Sequence, residues 1–257
     1  MTSLTIPPGF VAHSGACETW WLKAGCESAV LAAVQLLAEE PQQNTADAVS
    51  TRMVTPLHWG RGHVWRVQTD AQGAVIVRYY RRGGFVRYFV NDVYWDQPPR
   101  PLAELVYTEM ARQYGVPTIE VLGARVRWIN RRLYRGILVS QELAGFHNFW
   151  EWLQTRPTGP ARVSTLTAVA RTIRTMHDAG IVHADLNLTN ILIQPGTASP
   201  QVYVLDFDRA RLFPSPVARV YRERTLDRLH RSLRKLNPDG SLYSAADIAL
   251  LCSEPSP

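Results

Sequence analysis

A short polar loop between two apolar segments constrains the fold of this chain more than any other feature. The loop reads HADLNLTN from His183 to Asn190, and it follows a segment of helical periodicity that ends near Gly180. The apolar run ILI at 191–193, a Pro-Gly turn and a strand-like stretch VYVLDFD at 202–208 come next. This order predicts a strand hairpin that brings Asp206 into register with the loop.

The spacing of the polar residues in this loop is typical of a kinase catalytic loop, H-x-D-x-x-x-x-N. Phosphoryl transfer from ATP needs positioned phosphates, one or two magnesium ions and a carboxylate that accepts the proton of the acceptor hydroxyl. Asp185 is the candidate proton acceptor, and Asn190 and Asp206 are candidate magnesium ligands because their side chains offer hard oxygen donors. His183 is predicted to fix the loop by hydrogen bonds. An ordinary turn would use similar residue types, but the two motifs together favour a kinase.

Nucleotide-binding residues are expected in the first half of the chain. Gly60 and Gly62 lie in a turn before a strand, as in a shortened glycine-rich loop whose amides approach phosphates. In VIVR at 75–78, Arg78 occupies the position of the V-A-I-K lysine. The chain has only two lysines, Lys23 and Lys235, and neither falls on that strand. Arginine keeps the charge and can bridge a phosphate and a carboxylate.

The carboxylate partner of Arg78 should lie on the helix predicted within PRPLAELVYTEMARQYG. Glu104 is the predicted partner, and Glu109 is the alternative. The segment LVSQELAG at 138–145 is typical of a hinge between two lobes. Backbone groups of Glu142 and Leu143 are therefore predicted to hydrogen-bond the adenine edge.

The distribution of periodicities predicts an α+β, two-lobed, protein-kinase-like fold with a small β-rich N-lobe and a helical C-lobe. Strand-like segments dominate 60–145, and helical spacing dominates from 146, where Ser164 is a candidate N-cap. We expect an N-terminal helical extension at 1–50, the N-lobe at 51–142, and the C-lobe with a basic C-terminal helix at 143–257. With 257 residues and 46% apolar content, the chain is long enough for these lobes in one kinase-like domain.

The positive charge of the chain is concentrated in one segment. The formal charge is +6, and residues 209–235 contain nine Arg and Lys against two acidic residues. Such a segment attracts phosphate, whether of nucleic acid or of an anionic lipid surface, although a solvated helix face is the simpler alternative. No apolar run is long enough to span a membrane, and the N-terminus lacks a signal-peptide pattern. The spacing of the three cysteines indicates neither a disulfide framework nor a zinc site. We therefore expect a cytoplasmic protein.

Several motifs together resemble the 3-deoxy-D-manno-octulosonic acid (Kdo) kinases of the lipopolysaccharide kinase family. They are GRGHVW, VRYYRRGG at 77–84, HADLNLTNILI at 183–193, LDFDRAR at 205–211, GVPTIEVLGARV at 115–126 and TLDRLHRSLRKL at 225–236. The resemblance implies ATP-dependent phosphorylation of a hydroxyl of the Kdo sugar of Kdo-lipid A, at the cytoplasmic face of the inner membrane. It maps the family's base onto Asp185 and its metal ligands onto Asn190 and Asp206.

An acceptor of this kind lies on an anionic inner-membrane surface. The stretch RYYRRGG at 78–84 and the basic segment at 209–235 could dock on its lipid phosphates, or RYYRRGG could be a plain strand and turn. Alternatives are an aminoglycoside- or choline-type phosphotransferase, a heptose kinase of lipopolysaccharide, and a nucleotide-binding scaffold without catalysis. Nucleic acid is not favoured as a partner, since no stacking motif or helix-turn-helix signature accompanies the arginines. The sequence makes no prediction of the oligomeric state.

Overall fold

The chain folds into two compact units. The computed structural model describes residues 4–39, 53–57, 63–80, 93–95, 98–194 and 199–252. The first unit comprises Met1–Glu109 and Glu120–Glu142, and the second comprises Met110–Ile119 and Leu143–Pro257. A segment of the predicted N-lobe, 110–119, thus belongs to the second unit.

The first unit is built on a seven-stranded sheet in which every neighbouring pair is antiparallel. The strand order is β1-β2-β6-β7-β5-β4-β3. The strands predicted around 64–67, 74–80 and 136–143 are confirmed, and so is the helix predicted before Gly115. The elements are β1 (Phe10–Ser14), β2 (Glu18–Lys23), α1 (Glu27–Glu39), β3 (Val54–Leu57), β4 (His63–Thr69), β5 (Gly73–Tyr79), α2 (Arg100–Gln113), β6 (Val121–Trp128) and β7 (Tyr134–Gln141).

The two helices of this unit pack on opposite faces of the sheet. Val30 and Val34 of α1 belong to the same apolar core as Val77 of β5. Arg78 is the next residue of β5, so its side chain points to the other face, where it contacts α2. Gly136 of β7 allows the start of α2 to approach closely, because a Cβ at this position would collide with Pro101.

The segment 1–50 was predicted as a helical extension, and this prediction is wrong for its first half. Strands β1 and β2 form a hairpin that joins the sheet through β6. The sequence ETWWLK of β2 is rich in aromatic residues, which favour strands, and Trp21 and Leu22 are buried. Only α1 matches the predicted helix.

The second unit contains four helices and two small sheets in its described part. The elements are β8 (His147–Asn148), α3 (Phe149–Gln154), α4 (Gly159–Asp178), β9 (Ile181–Val182), a 3₁₀ turn (Leu188–Asn190), β10 (Ile191–Gln194), β11 (Gln201–Val204), β12 (Arg211–Leu212), α5 (Arg219–Leu236) and α6 (Ala245–Cys252). Strand β10 pairs with β11 and β8, and β9 pairs with β12. In the part of the chain that the structure describes, no helix is long and apolar enough to cross a membrane.

Helix α4 runs into the polar loop as predicted, but it begins five residues before Ser164. A proline in its first turn suits the helix start, and the Ser164 hydroxyl donates to the Ala161 carbonyl inside the helix, so the predicted N-cap is wrong. Gly180 follows the helix with a φ of +75°, as a residue that ends a helix should. Helix α5 matches the predicted basic helix, but α6 follows it, so α5 is not the C-terminal helix.

Candidate active site

His183 fixes the backbone of the polar loop from inside the second unit. The residue is 2% exposed, and its ring packs against Phe207 at an interplanar angle of 58°, with ring centroids 5.2 Å apart. Nε2 lies 2.8 Å from the Leu205 carbonyl, and Nδ1 accepts a hydrogen bond of 3.1 Å from the Asp185 amide. These partners require a neutral imidazole with its proton on Nε2. Burial lowers the pKa of His183, which favours the same neutral form. The predicted structural role of this residue is confirmed.

Asp185 is held through its backbone while its carboxylate faces solvent. Its carbonyl accepts hydrogen bonds of 3.0 Å from the side-chain amides of Asn187 and Asn190. Leu186 and Leu188 are fully buried and anchor the loop on either side of Asn187. The Asp185 side chain is 61% exposed. A carboxylate of this kind, exposed on a rigid backbone, can receive a proton from an incoming hydroxyl.

The β10–β11 hairpin brings Asn190 and Asp206 together. Ile191 pairs with Val204 at the open end of the hairpin, and the Leu205 amide donates to the Asn190 carbonyl at 2.8 Å. Asp206 therefore follows directly after the residue bonded to Asn190. The predicted register between the loop and Asp206 is confirmed, although β11 ends at Val204, two residues before Asp206.

Residues from the end of α2 onward also support the second strand of this hairpin. The Val204 amide donates to the Pro117 carbonyl at 3.0 Å, and the Thr118 hydroxyl donates to the Val204 carbonyl at 2.6 Å. The GVPT sequence after the helix therefore holds the end of β11, two residues before Asp206.

Asp206 has a backbone conformation that L-residues rarely adopt. Its φ is +69°, and Arg156 is the other non-glycine residue with a positive φ in the described part of the chain. Left-handed conformations cost roughly 1–2 kcal/mol for most residues, and Asp and Asn tolerate them best. Phe207 is fully buried beside His183, so the Asp-Phe pair is held by packing. Strain of this kind concentrates at functional sites.

The donor set formed by Asn190 and Asp206 fits magnesium. The Asn190 amide nitrogen is directed at the Asp185 carbonyl, so the oxygen of the same side chain is the atom left for a cation. Among the described residues, no group of three or more His, Cys, Asp or Glu could hold a metal. Magnesium does not need such a group, because water and the phosphates of a bound nucleotide complete its coordination.

In the first unit, Arg78 forms the predicted ion pair with Glu104. Glu104 is 1% exposed, and its Oε2 accepts hydrogen bonds from both Arg78 and the Tyr80 hydroxyl. The Arg78 guanidinium also lies over the Tyr80 ring, 4.9 Å from its centroid. Glu109, the alternative partner, instead accepts a hydrogen bond from the Val121 amide at 3.3 Å. Tyr80 was not predicted as a partner, although the two-residue period of a strand places it on the same face as Arg78.

The other residues predicted to bind the nucleotide are Glu142, Leu143, Gly60 and Gly62. The Glu142 amide donates to the Ala74 carbonyl at 3.2 Å and so continues the sheet, while its carboxylate accepts a hydrogen bond from Arg66 at 2.7 Å. The Glu142 amide is therefore already engaged within the sheet. Leu143 follows as the first residue of the second unit after the sheet. Gly60 and Gly62 lie outside the described residues.

Helix α5 places a residue beside the loop that sequence reasoning did not assign to the site. Arg228 Nη1 lies 3.4 Å from Asp185 Oδ1, and the Leu188 amide faces the Ser232 hydroxyl at 3.4 Å. These residues are more than forty positions apart in the chain. No sequence period could reveal this proximity.

Known proteins resemble this chain in sequence and in fold. The lipopolysaccharide kinase (Kdo/WaaP) family model matches residues 48–253. The 3-deoxy-D-manno-octulosonic acid kinase of Vibrio cholerae serotype O1 is 33% identical over 180 residues, which cover 68% of this chain and 72% of the relative. The enzyme of the same name from Vibrio parahaemolyticus is 32% identical over 207 residues, covering 77% and 82%. A solved structure titled "WaaP in complex with acyl carrier protein" matches with a TM-score of 0.51 at 20% identity, covering 79% of this chain and 77% of that one.

The chain has an α+β, two-lobed, kinase-like fold, as predicted. The chain belongs to the Kdo/WaaP lipopolysaccharide kinase family, and it is an ATP-dependent phosphotransferase. Membership of this family assigns its activity to lipopolysaccharide biosynthesis.

Proposed function

We propose that this enzyme transfers the γ-phosphate of ATP to a hydroxyl of the Kdo sugar of Kdo-lipid A. The observation that carries the proposal is the polar loop, in which the Asp185 carboxylate is exposed and the Asp185 carbonyl is bonded to the Asn190 side chain. The Asn190 carbonyl in turn accepts a hydrogen bond from Leu205, the residue before Asp206. Relatives named 3-deoxy-D-manno-octulosonic acid kinase, about a third identical over most of the chain, support Kdo as the acceptor sugar.

In the proposed mechanism, Asp185 orients the acceptor hydroxyl and receives its proton. The hydroxyl oxygen forms a bond to the γ-phosphorus while the bond from that phosphorus to the β,γ-bridging oxygen breaks, and ADP leaves with the electron pair. His183 supports this step because its ring holds the Asp185 amide, and the Asn187 and Asn190 side chains hold the Asp185 carbonyl. A fixed general base of this kind typically contributes about 10²- to 10⁴-fold to the rate.

Arg78 is proposed to hold the phosphates of ATP in place of the usual lysine. The buried Glu104 carboxylate and the Tyr80 hydroxyl fix the guanidinium at one end, and the side chain of Arg78 remains partly exposed. Arginine carries five donors in a planar fork, so it can contact Glu104 and a phosphate oxygen together. Gly60 and Gly62, together with backbone groups around Glu142 and Leu143, are proposed to complete nucleotide binding.

Asn190 and Asp206 would hold Mg²⁺, which when bound neutralises charge on the β- and γ-phosphates. The β10–β11 hairpin and the hydrogen bond from the Leu205 amide to the Asn190 carbonyl position both residues at the open end of the hairpin.

The acceptor fixes where the enzyme must act. Kdo-lipid A is anchored in a membrane, and we propose that the enzyme works as a peripheral protein at the cytoplasmic face of the inner membrane. Its basic segment at 209–235 contains nine Arg and Lys against two acidic residues, which suits an anionic lipid surface.

The decisive experiment incubates the purified protein with ATP, magnesium and Kdo-lipid A and analyses the glycolipid by mass spectrometry. We expect the mass of one phosphate to be added to Kdo. The Asp185→Asn variant keeps the backbone hydrogen bonds of the loop but removes the base. We therefore expect phosphate transfer to be slower by at least about 10²-fold. Phosphate on a heptosylated core or an aminoglycoside, with none on Kdo, would refute Kdo as the acceptor. Undiminished transfer by Asp185→Asn would refute the proposed mechanism.

A further inference from the structure

Helix α5 is docked on the polar loop at defined points. The Ser232 hydroxyl faces the Leu188 amide at 3.4 Å, and Leu229 and Leu233 are buried beneath the helix. Arg222 fixes an earlier turn of α5, since its guanidinium donates to Asp178 and to the Val217 carbonyl, each at 2.7 Å. The backbone of Arg228, between these points, is therefore held near the polar loop, within reach of Asp185.

The contact between Arg228 and Asp185 is loose. Arg228 Nη1 lies 3.4 Å from Asp185 Oδ1, whereas tight charge-assisted hydrogen bonds measure about 2.7–2.9 Å. Both groups are open to solvent, with 45% of the Arg228 side chain and 61% of the Asp185 side chain exposed. A guanidinium has five donors, and this single long contact occupies one of them. The geometry leaves Arg228 able to receive a second anion beside the base.

The charge of the loop explains why such a cation would be needed. The stretch 183–190 contains Asp185 and no Arg or Lys, and Asp206 and Asp208 follow after the hairpin. The proposed acceptor carries a carboxylate on the same sugar as its hydroxyl. Near Asp185 that carboxylate would be repelled, and desolvating it without a partner is costly. Within the described residues, Arg228 is the cation in contact with Asp185.

We propose that Arg228 binds the carboxylate of the acceptor sugar and so presents the neighbouring hydroxyl to Asp185. This inference rests on the proposed function, because it concerns the acceptor of that reaction. Arginine matches a carboxylate through two parallel hydrogen bonds, which fix orientation as well as position. Arg228 is thus a specificity-determining residue that selects acidic sugars over neutral ones.

The test compares two acceptors with three variants in neutral detergent micelles. The acceptors are Kdo-lipid A and the same glycolipid with the Kdo carboxylate converted to its methyl ester. The variants are Arg228→Gln, Arg228→Lys and the control Arg219→Gln, and kcat/KM for the acceptor and KM for ATP are measured for each. Arg219 is a matched control, since it lies about 14 Å along the same helix, is exposed and pairs with Glu223.

For the wild type we expect esterification to lower kcat/KM by about 10- to 100-fold, the usual effect of losing a hydrogen bond to a charged group. On Kdo-lipid A, Arg228→Gln should have a kcat/KM lower than that of the wild type by a similar factor. On the methyl ester, its kcat/KM should be close to that of the wild type. Arg228→Lys should fall between the two on the acid. Arg219→Gln should match the wild type, and KM for ATP should be unchanged throughout.

The outcomes separate this inference from the proposed function. If Arg228→Gln loses the same factor on the ester as on the acid, Arg228 acts on Asp185 or on folding, and the inference is overturned. Unchanged turnover of the acid by Arg228→Gln would overturn it as well. Failure of the wild type to phosphorylate Kdo-lipid A would instead refute the proposed function and remove the basis of the inference. Melting temperatures with and without Mg·ATP verify that the variants are folded.

Discussion

Asp206 combines two features in one residue, a left-handed backbone and the carboxylate that we propose as a metal ligand. Its φ of +69° is set between a hydrogen-bonded Leu205 and a buried Phe207. Glycine would adopt this conformation more easily, but it has no carboxylate. Under the proposed function, the strain is tolerated because the side chain binds the metal, and substitution can separate the backbone requirement from the carboxylate requirement.

We expect Asp206→Asn to be folded and nearly inactive. Asparagine tolerates the left-handed conformation, but it would leave the proposed magnesium site with two neutral amide ligands and no carboxylate to balance the cation, so activity should fall by at least about 10²-fold. Asp206→Val should be inactive and also less stable by about 1–2 kcal/mol, because a β-branched residue opposes a positive φ. Denaturant unfolding and kinase assays over a range of magnesium concentrations measure both effects. Full activity of Asp206→Asn at ordinary magnesium would show that the carboxylate is not a ligand.

Local spacing revealed some residues of the site and could not reveal others. The sequence predicted the pairing of Arg78 with Glu104, because the strand motif identified Arg78 and the predicted helix offered only Glu104 and Glu109 as partners. It also predicted the contribution of His183 to the loop. The approach of Arg228 to Asp185 depends on how α5 docks, and that docking is decided by burial of Leu229 and Leu233 against residues distant in the chain. Periodicity carries no information about such contacts.

At the scale of elements, α6 is fastened to α4 by one nearly buried ion pair. Arg162 donates to both oxygens of Asp247, at 3.0 and 2.7 Å, and also to the Leu242 carbonyl at 2.7 Å. The Ser244 amide and hydroxyl donate to the same carboxylate. The Arg162 hydrogen bonds in particular lower the pKa of Asp247 to about 2. These hydrogen bonds therefore also hold Leu242 and Ser244, which lie between α5 and α6.

The lowered pKa predicts how acid weakens the fold. The folded pKa lies below the ordinary value of 3.8, so the unfolded chain binds the proton more readily. The stabilisation is complete above about pH 4 and is lost as the pH falls towards 2, and it amounts to about 2 kcal/mol. Asp247→Asn should lower the free energy of unfolding by about this amount at pH 7. The difference from the wild type should shrink between pH 4 and 2 in urea titrations, and a difference that stays constant with pH would contradict the assignment.

The elements that the sequence did not predict are short or lack a strong period. The hairpin β1–β2 has strands of five and six residues, and α6 has eight residues. Their stability comes from packing on the rest of their unit, as the buried Trp21 and Leu251 indicate. Longer elements such as α4 and α5 carry enough apolar positions at helical spacing to be predicted, although the start of α4 was misplaced because Ser164 resembles an N-cap.

At the scale of the whole molecule, the positive charge has one main location. The chain has a formal charge of +6, and the segment 209–235 has a surplus of about that size, so the remainder is close to neutral. Helix α5 exposes most of these cations while burying Thr225, Leu229 and Leu233. Lys or Arg near an anionic lipid surface contributes about 1 kcal/mol each to binding. A molecule charged in this way should approach such a surface with α5 foremost.

We therefore expect the protein to sediment with vesicles that contain anionic lipid and to be released by salt, since the attraction is screened within about 10 Å at 0.1 M. Charge reversal at Arg228, Arg231 and Arg234 should abolish this binding. The double variant Arg231→Glu/Arg234→Glu keeps Arg228, so it should bind vesicles at least about tenfold more weakly yet phosphorylate Kdo-lipid A normally in neutral detergent. Vesicles of zwitterionic lipid alone serve as the control and should bind neither protein. If the double variant sediments with anionic vesicles as the wild type does, α5 is a solvated helix and the membrane is recognised elsewhere.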